Sequence, residues 1–154
     1  MTNKFICQGW EIYFHPQLFE QQYQELLARV ETLKSNLTPD DFKTHATVKL
    51  FAAITIGIQE KIPSDPLASH FVLTGTLKRY SRMKKMGLSD RYRLFFRVFD
   101  TAEMKAIVIL WLGYPRKEGD RNDCYKVFAK MVNRGEFPEQ IAELIPDLDL
   151  SGDN

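Results

Sequence analysis

Residues 91–99 read RYRLFFRVF, and their period of two marks a strand. Tyr92, Leu94, Phe96 and Val98 fall on one face, and Arg91, Arg93, Phe95 and Arg97 on the other. Working outward, residues 105–112 read KAIVILWL, β-branched and apolar on both faces, as a central strand does. On the other side YSRMKK alternates through Tyr80, Arg82 and Lys84. The connections GLSD (87–90) and TAE (101–103) are short enough to be turns, so these strands are expected to pair as antiparallel hairpins.

Helical spacing flanks this β region. His15-Pro16 is a helix-start signal. Phe19, Tyr23, Leu26, Leu27, Val30 and Leu33 then recur every three or four residues, which predicts a helix over about 16–35. Thr38-Pro39-Asp40-Asp41 combines an N-cap, a first-turn proline and two acids, and Phe42, Ala46, Leu50, Ala53, Ile54 and Gly57 extend a second helix to about Ile62. IPSDPLASH (62–70) reads as a loop. Asp123–Arg134 resumes helical spacing through Tyr125, Phe128 and Val132, Gly135 closes it, and PEQIAELI (138–145) suggests one more short helix. The expected architecture is α+β: an antiparallel sheet of three to four strands, two N-terminal helices and a C-terminal helix. With the helices on one sheet face, the arginine-bearing face is expected to remain free.

The chain has 154 residues, 44% apolar and 27% charged, which suits one domain of about 1–146. Residues 147–154 form an acidic tail, expected to be disordered. No apolar run reaches the length of a membrane span, and MTNKFICQGWEIYFHP lacks the plan of a secretory signal, so a cytoplasmic protein is expected. Cys7 and Cys124 stand alone, with neither a disulfide framework nor a zinc spacing. The net charge of +1 conceals a strong segregation. Residues 78–97 hold eight basic groups and one acid, while residues 136–154 hold six acids and no base. The basic segment points to an anionic partner, nucleic acid foremost. The acidic end is a candidate to fold weakly back across the basic face.

Alternation places Arg82 and Lys84 of one strand beside Arg91, Arg93 and Arg97 of the next. Like charges on neighbouring strands repel, so an anionic ligand would offset a cost that folding alone does not favour. Tyr80, Tyr92 and Phe95 interleave with these cations and suit stacking on unpaired bases, although the alternation directs Tyr92 toward the core. Arg116, after the central strand, and Asp123-x-Tyr125, opening the last helix, can return to the edge of this face. Asp123 is read as the helix N-cap. Gly-rich phosphate loops, GxSxG and HExxH are absent, nothing brings His15, His45 and His70 together, and no paired carboxylates have metal spacing. RNA cleavage here would therefore be expected to proceed without metal or cofactor.

The elements GWxxYxHP (Gly9, Trp10, Tyr13, His15, Pro16), VETLK (Val30 to Lys34), ATVKL (Ala46 to Leu50), SRMK followed by RYRLFFR, and DxYxVFxKMxxRG (Asp123 to Gly135) stand in one order. Together they resemble the YhaV family of type II toxin–antitoxin toxins, within the RelE-like ribonuclease superfamily, over about residues 9–138. The resemblance implies a microbial-RNase-like α+β fold and a toxin that cleaves messenger RNA, free or on the ribosome, to inhibit translation and growth. It also implies a cognate antitoxin of the swapped-hairpin, PrlF-like type, with operator DNA bound only by the toxin–antitoxin complex. Carried over by position, it implies catalytic roles for Arg82, Lys84, Arg93, Arg116 and Tyr125. Lys78, Arg79, Tyr80, Lys85, Arg91 and Arg97 are then expected to bind RNA. The ribose 2′-hydroxyl would attack the adjacent phosphate, giving a 2′,3′-cyclic phosphate or a 3′-phosphate. Arginine stays protonated, so the base is Lys84 or Tyr125, and the sequence leaves that choice open. Two other readings stand beside this one: a non-catalytic nucleic-acid-binding co-repressor, and a gyrase-inhibiting toxin of the same fold.

Overall fold

A computed structural model describes residues 4–114 and 119–145. Strands β1 (Lys4–Cys7), β2 (Trp10–Phe14), β3 (Ser81–Met83), β4 (Arg93–Asp100) and β5 (Lys105–Gly113) form one sheet in the order β1-β2-β5-β4-β3. The expected β3–β4 and β4–β5 pairs are antiparallel, and β5 is central, as its double-faced apolar sequence requires. The sheet nevertheless has five strands and is mixed, which corrects the expectation of three to four antiparallel ones. The addition is an N-terminal hairpin whose β2 runs parallel to β5. Its turn is the dipeptide Gln8-Gly9, both residues in the left-handed region (φ 52° and 87°), the geometry that keeps a two-residue hairpin in step with strand twist. Strands of four and five residues give too short a periodic signal to stand out.

One sheet face is covered by α1 (Phe19–Asn36), α3 (Ala46–Ile56), a wide π-helical turn (Gly57–Lys61) and α4 (Ile62–Ser64), while the short α2 (Pro39–Thr44) links α1 to α3 and buries none of its residues. Phe19, Leu26, Ile54 and Ile58 pack there on Ile12, Met83, Leu94, Phe96, Ile107 and Ile109. The second helix is thus broken where continuity to Ile62 was expected. His45 adopts an extended conformation (ψ 136°), and its Nδ1 accepts the N–H of Thr47 at 3.1 Å, ending α2 and capping α3. Thr38 caps α2 as anticipated, accepting the N–H of Asp41 at 3.2 Å.

The opposite face is not free. Helix α5 (Cys124–Asn133), the segment after it and α6 (Ile141–Leu144) lie over Tyr13, Tyr80, Phe95, Val108 and Leu110. Phe128 stacks on Phe95 (4.2 Å between centroids) and on Phe137 (5.2 Å). The chain leaves α5 through Gly135 (φ 76°), whose N–H reaches the carbonyl of Val132 while that of Glu136 reaches Met131. The expectation of an open arginine face fails because this helix is strongly amphipathic and the face has its own apolar stripe: Phe95 is fully buried, not displayed for stacking.

Candidate active site

Arg82 of β3 pairs in register with Phe95, which sets it diagonally across from Arg93 at the start of β4. The two guanidinium groups converge on one atom. Arg82 Nε donates to Tyr125 Oη at 2.9 Å and Arg93 Nε to the same oxygen at 3.0 Å. The Nε atoms are therefore at most about 6 Å apart, and two unit charges 6 Å apart repel by about 3 kcal/mol at an effective dielectric constant of 20, before salt screening. Their other hydrogen-bond partners among the described residues are neutral backbone carbonyls. Arg82 Nη1 donates to the carbonyls of His70 (2.9 Å) and Phe71 (3.4 Å), and Arg93 Nη1 to those of Tyr92 (2.9 Å) and Asp90 (3.0 Å). Among the described residues neither arginine pairs with a carboxylate. Two partly exposed cations clamped on backbone carbonyls, neither in an ion pair with a carboxylate among the described residues, can seat an anion.

Three features position Tyr125. Asp123 caps α5, its Oδ2 accepting the N–H of Tyr125 at 3.0 Å, so the expected N-cap role holds. The tyrosine ring stands edge-on to Phe95 with centroids 5.6 Å apart. Beneath the first turn of α5 lies Gly113, where a Cβ would come within 2.8 Å of both Cys124 Cβ and Phe95 Cε2. Only a glycine lets α5 approach β5 this closely. This positioning residue was missed in the sequence, where the only signal was a glycine ending an apolar strand.

The other anticipated residues separate into two groups. Lys78, Lys84, Lys85 and Arg91 are exposed. Lys84 follows β3 directly and leads into three residues in the left-handed region, Lys85 (φ 60°), Met86 (φ 54°) and Gly87 (φ 97°), a costly backbone for the two side-chain-bearing members. Arg79, Tyr80 and Arg97 gather elsewhere. Glu139 takes Arg79 Nη1 at 2.5 Å and Arg97 Nη2 at 3.4 Å, and the Arg79 hydrogen bond, with Arg97 adding to it, holds its carboxyl below the usual range. Arg97, with a side chain only 11% exposed, lies over the rings of Phe99 (4.8 Å) and Tyr80 (5.5 Å). Tyr80 is buried, its hydroxyl pushed up by desolvation and donating to the Phe137 carbonyl at 3.4 Å. Tyr80 and Arg97, expected to face RNA, are thus largely covered: alternation put them on the right face, but α5 and the segment around Glu139 lie over that part. Arg116 and the acidic tail lie outside the described residues.

The histidines do not assemble. His15 is buried against Phe137 (5.6 Å), and desolvation lowers its pKa. His45 is a helix cap, and His70 contributes its carbonyl. No group of three or more His, Cys, Asp or Glu side chains gathers among the described residues, and no helix among them is long and apolar enough to cross a membrane.

Comparison with known proteins identifies the family. Residues 12–149 match the family model of the YhaV toxins, described as a toxin with endonuclease activity, of toxin-antitoxin system. The chain is similar to the ribonuclease toxin YhaV of Escherichia coli strain K12, with 38% identity over 138 residues, 84% of this chain and 86% of that protein. Toxin YhaV of Escherichia coli O157:H7 and toxin YhaV of the O6:H1 strain CFT073 match at the same identity and coverage. No solved structure matches the chain. With nearly its whole length matched, and with the arginine–tyrosine cluster built from the segments that carried the resemblance, the chain belongs to the YhaV family of toxins with endonuclease activity from toxin–antitoxin systems.

Proposed function

We propose that the protein is a metal-independent endoribonuclease whose reacting phosphate sits at Arg82, Arg93 and Tyr125. The observation that supports this most is the shared hydroxyl: one tyrosine oxygen receives an Nε–H from each of two arginines that lack a carboxylate partner among the described residues. Phosphate binding alone would need the cations; a hydroxyl held between them adds a group able to move a proton, which favours catalysis over a purely binding co-repressor.

In this reading the ribose 2′-oxygen attacks the adjacent phosphorus and the 5′-oxygen departs, leaving a 2′,3′-cyclic phosphate and a 5′-hydroxyl. The attacking hydroxyl must lose a proton and the leaving oxygen must gain one. Arginine can do neither at neutral pH. Tyr125, and Lys84 just beyond the end of β3, are the side chains suited to these transfers, and Arg82 and Arg93 stabilise the charge that develops on the non-bridging oxygens. Arg116 is assigned here to the same phosphate on the strength of the resemblance alone. Lys78, Lys84, Lys85 and Arg91 extend the positive surface along the RNA. The substrate is messenger RNA in the cytoplasm, and the inhibiting partner is a swapped-hairpin antitoxin with which the toxin binds operator DNA.

The decisive test is incubation of the purified protein with end-labelled single-stranded RNA in excess EDTA. Cleavage with cyclic-phosphate 3′ ends supports the proposal. Cleavage abolished by EDTA and restored by magnesium removes the metal-independent mechanism, and binding without any cleavage favours the co-repressor.

A further inference from the structure

The chain holds a second cationic feature, on the other side of the sheet end from Tyr125. A cleft of about 570 Å³ opens between the start of α3 and the segment leading into β4. That is the size class of sites that take a single small ligand. Three of its lining residues are basic, Arg29, Lys49 and Arg91, and none is acidic. Its wall carries Tyr92 and Tyr114, stacked on each other at 4.8 Å with 30° between their planes; Tyr114 is 49% exposed. The N-terminal residues of α3, including Thr47, also line it and present the positive end of an eleven-residue helix.

This cleft is tied to the candidate active site by covalent continuity and by hydrogen bonds. Tyr92 and Arg93 are consecutive, so their Cα atoms are about 3.8 Å apart. Arg93 Nη1 holds the carbonyls of both Tyr92 and Asp90, so the arginine at the reacting phosphate also fixes the backbone that forms the cleft wall. Exposed aromatic area beside three cations combines the two elements that hold single-stranded nucleic acid: a stacking platform and a phosphate-attracting groove.

We infer that this cleft binds a nucleotide flanking the scissile phosphate, its base stacked on the Tyr92–Tyr114 pair and its phosphate among Arg29, Lys49 and Arg91. The inference rests on the RNA-cleaving reading above and deepens it by assigning a subsite next to, but distinct from, the seat of the reacting phosphate.

The test uses Tyr114→Ala and Lys49→Ala, both at exposed positions. Affinity is measured by fluorescence anisotropy on an eight-nucleotide, fully 2′-O-methylated RNA, which can bind but cannot be cleaved. In parallel, kcat/KM is compared on the unmodified octamer and on dinucleotides that span only a scissile phosphate. Each variant should bind the modified octamer roughly tenfold more weakly. Each should lose a similar factor in kcat/KM on the octamer, with dinucleotide cleavage unchanged. Unaltered octamer affinity in both variants overturns the subsite. So does an equal loss on octamer and dinucleotide, which would place the effect at the reacting phosphate. Weakened octamer binding with no cleavage of any RNA by the unmodified protein retains the subsite and refutes the ribonuclease reading instead.

Discussion

Replacing Tyr125 by phenylalanine removes one oxygen and leaves the rest of the site in place. The ring keeps its edge contact with Phe95, and the backbone N–H keeps its bond to Asp123. What disappears is the acceptor shared by Arg82 Nε and Arg93 Nε. A hydrogen bond involving a charged group contributes on the order of 1.5–3 kcal/mol when its loss strands a buried partner. Both guanidinium groups are partly exposed, however, so water can take over the two donors, and the net destabilisation should stay near ~1 kcal/mol. For a domain of this length that is a drop in Tm of about 2–4 °C. The effect on cleavage should be much larger, because a hydroxyl that moves a proton or stabilises developing charge is worth about 10²–10³ in rate. Single-turnover cleavage of end-labelled RNA, with anisotropy on an uncleavable analogue, separates the two. The expected result is kcat down by two to three orders of magnitude with affinity within about threefold. A phenylalanine variant that cleaves at the unmodified rate would refute the assignment of Tyr125, and a Tm loss large enough to explain the inactivity would make the hydroxyl structural.

Other outcomes follow from the same geometry. Arg93→Ala should reduce turnover far more than affinity, whereas Arg97→Ala, which removes a cation packed over Phe99 and Tyr80, should lower Tm and leave turnover of the folded fraction unchanged; calorimetry with single-turnover kinetics checks both. Gly113→Ala should cost about 1–3 kcal/mol through overpacking and displace the start of α5, so stability and cleavage should fall together. If RNA meets about four phosphate-binding cations, log K against log salt should slope near −3, and a slope near zero would remove the nucleic-acid reading. His15 is buried with its pKa lowered by desolvation, so the folded state binds fewer protons there than the unfolded chain. Its contribution is fully present above the ordinary histidine range and is lost as pH falls below about 6.5, with a slope of up to ~1.4 kcal/mol per pH unit. Denaturant melts of the protein and of His15→Gln between pH 5 and 8 should show the flatter dependence in the variant.

The parts of this fold that could be read in the sequence are those with long periodic segments or strong punctuation. RYRLFFRVF had enough alternating positions to give both its strand and the faces of Leu94, Phe96, Arg93 and Arg97, and Thr38-Pro39 marked a helix start that the structure keeps. The N-terminal hairpin was illegible because its strands are short and its β2 pairs with β5, almost a hundred residues on, a partnership that no local pattern encodes. The candidate site was legible as a set of residue types, since cations crowded on neighbouring strands need an explanation. Their sorting was not. Arg93 and Arg97 occupy equivalent positions in the alternation, and only the path of the chain after α5, which brings Glu139 to one of them, separates an arginine without a carboxylate partner among the described residues from one in an ion pair. Gly113 was silent for a related reason: its importance lies in what Cys124 and Phe95 would collide with.

The strand order has a consequence for the cell that makes this protein. A ribosome synthesising the chain releases β2 long before its neighbour β5 exists, and Tyr125 emerges after every strand of the sheet. Until the last fifth of the chain has been made, α5 cannot dock and Arg82 and Arg93 have no hydroxyl between them. The N-terminal hairpin must wait unpaired along one edge for the same interval, because contacts so distant in sequence form late. Under the proposed assignment, a chain built in this order has no assembled site while nascent. The machinery translating it gains the whole time of elongation before the product can act, and an antitoxin has that same interval in which to be present when folding completes.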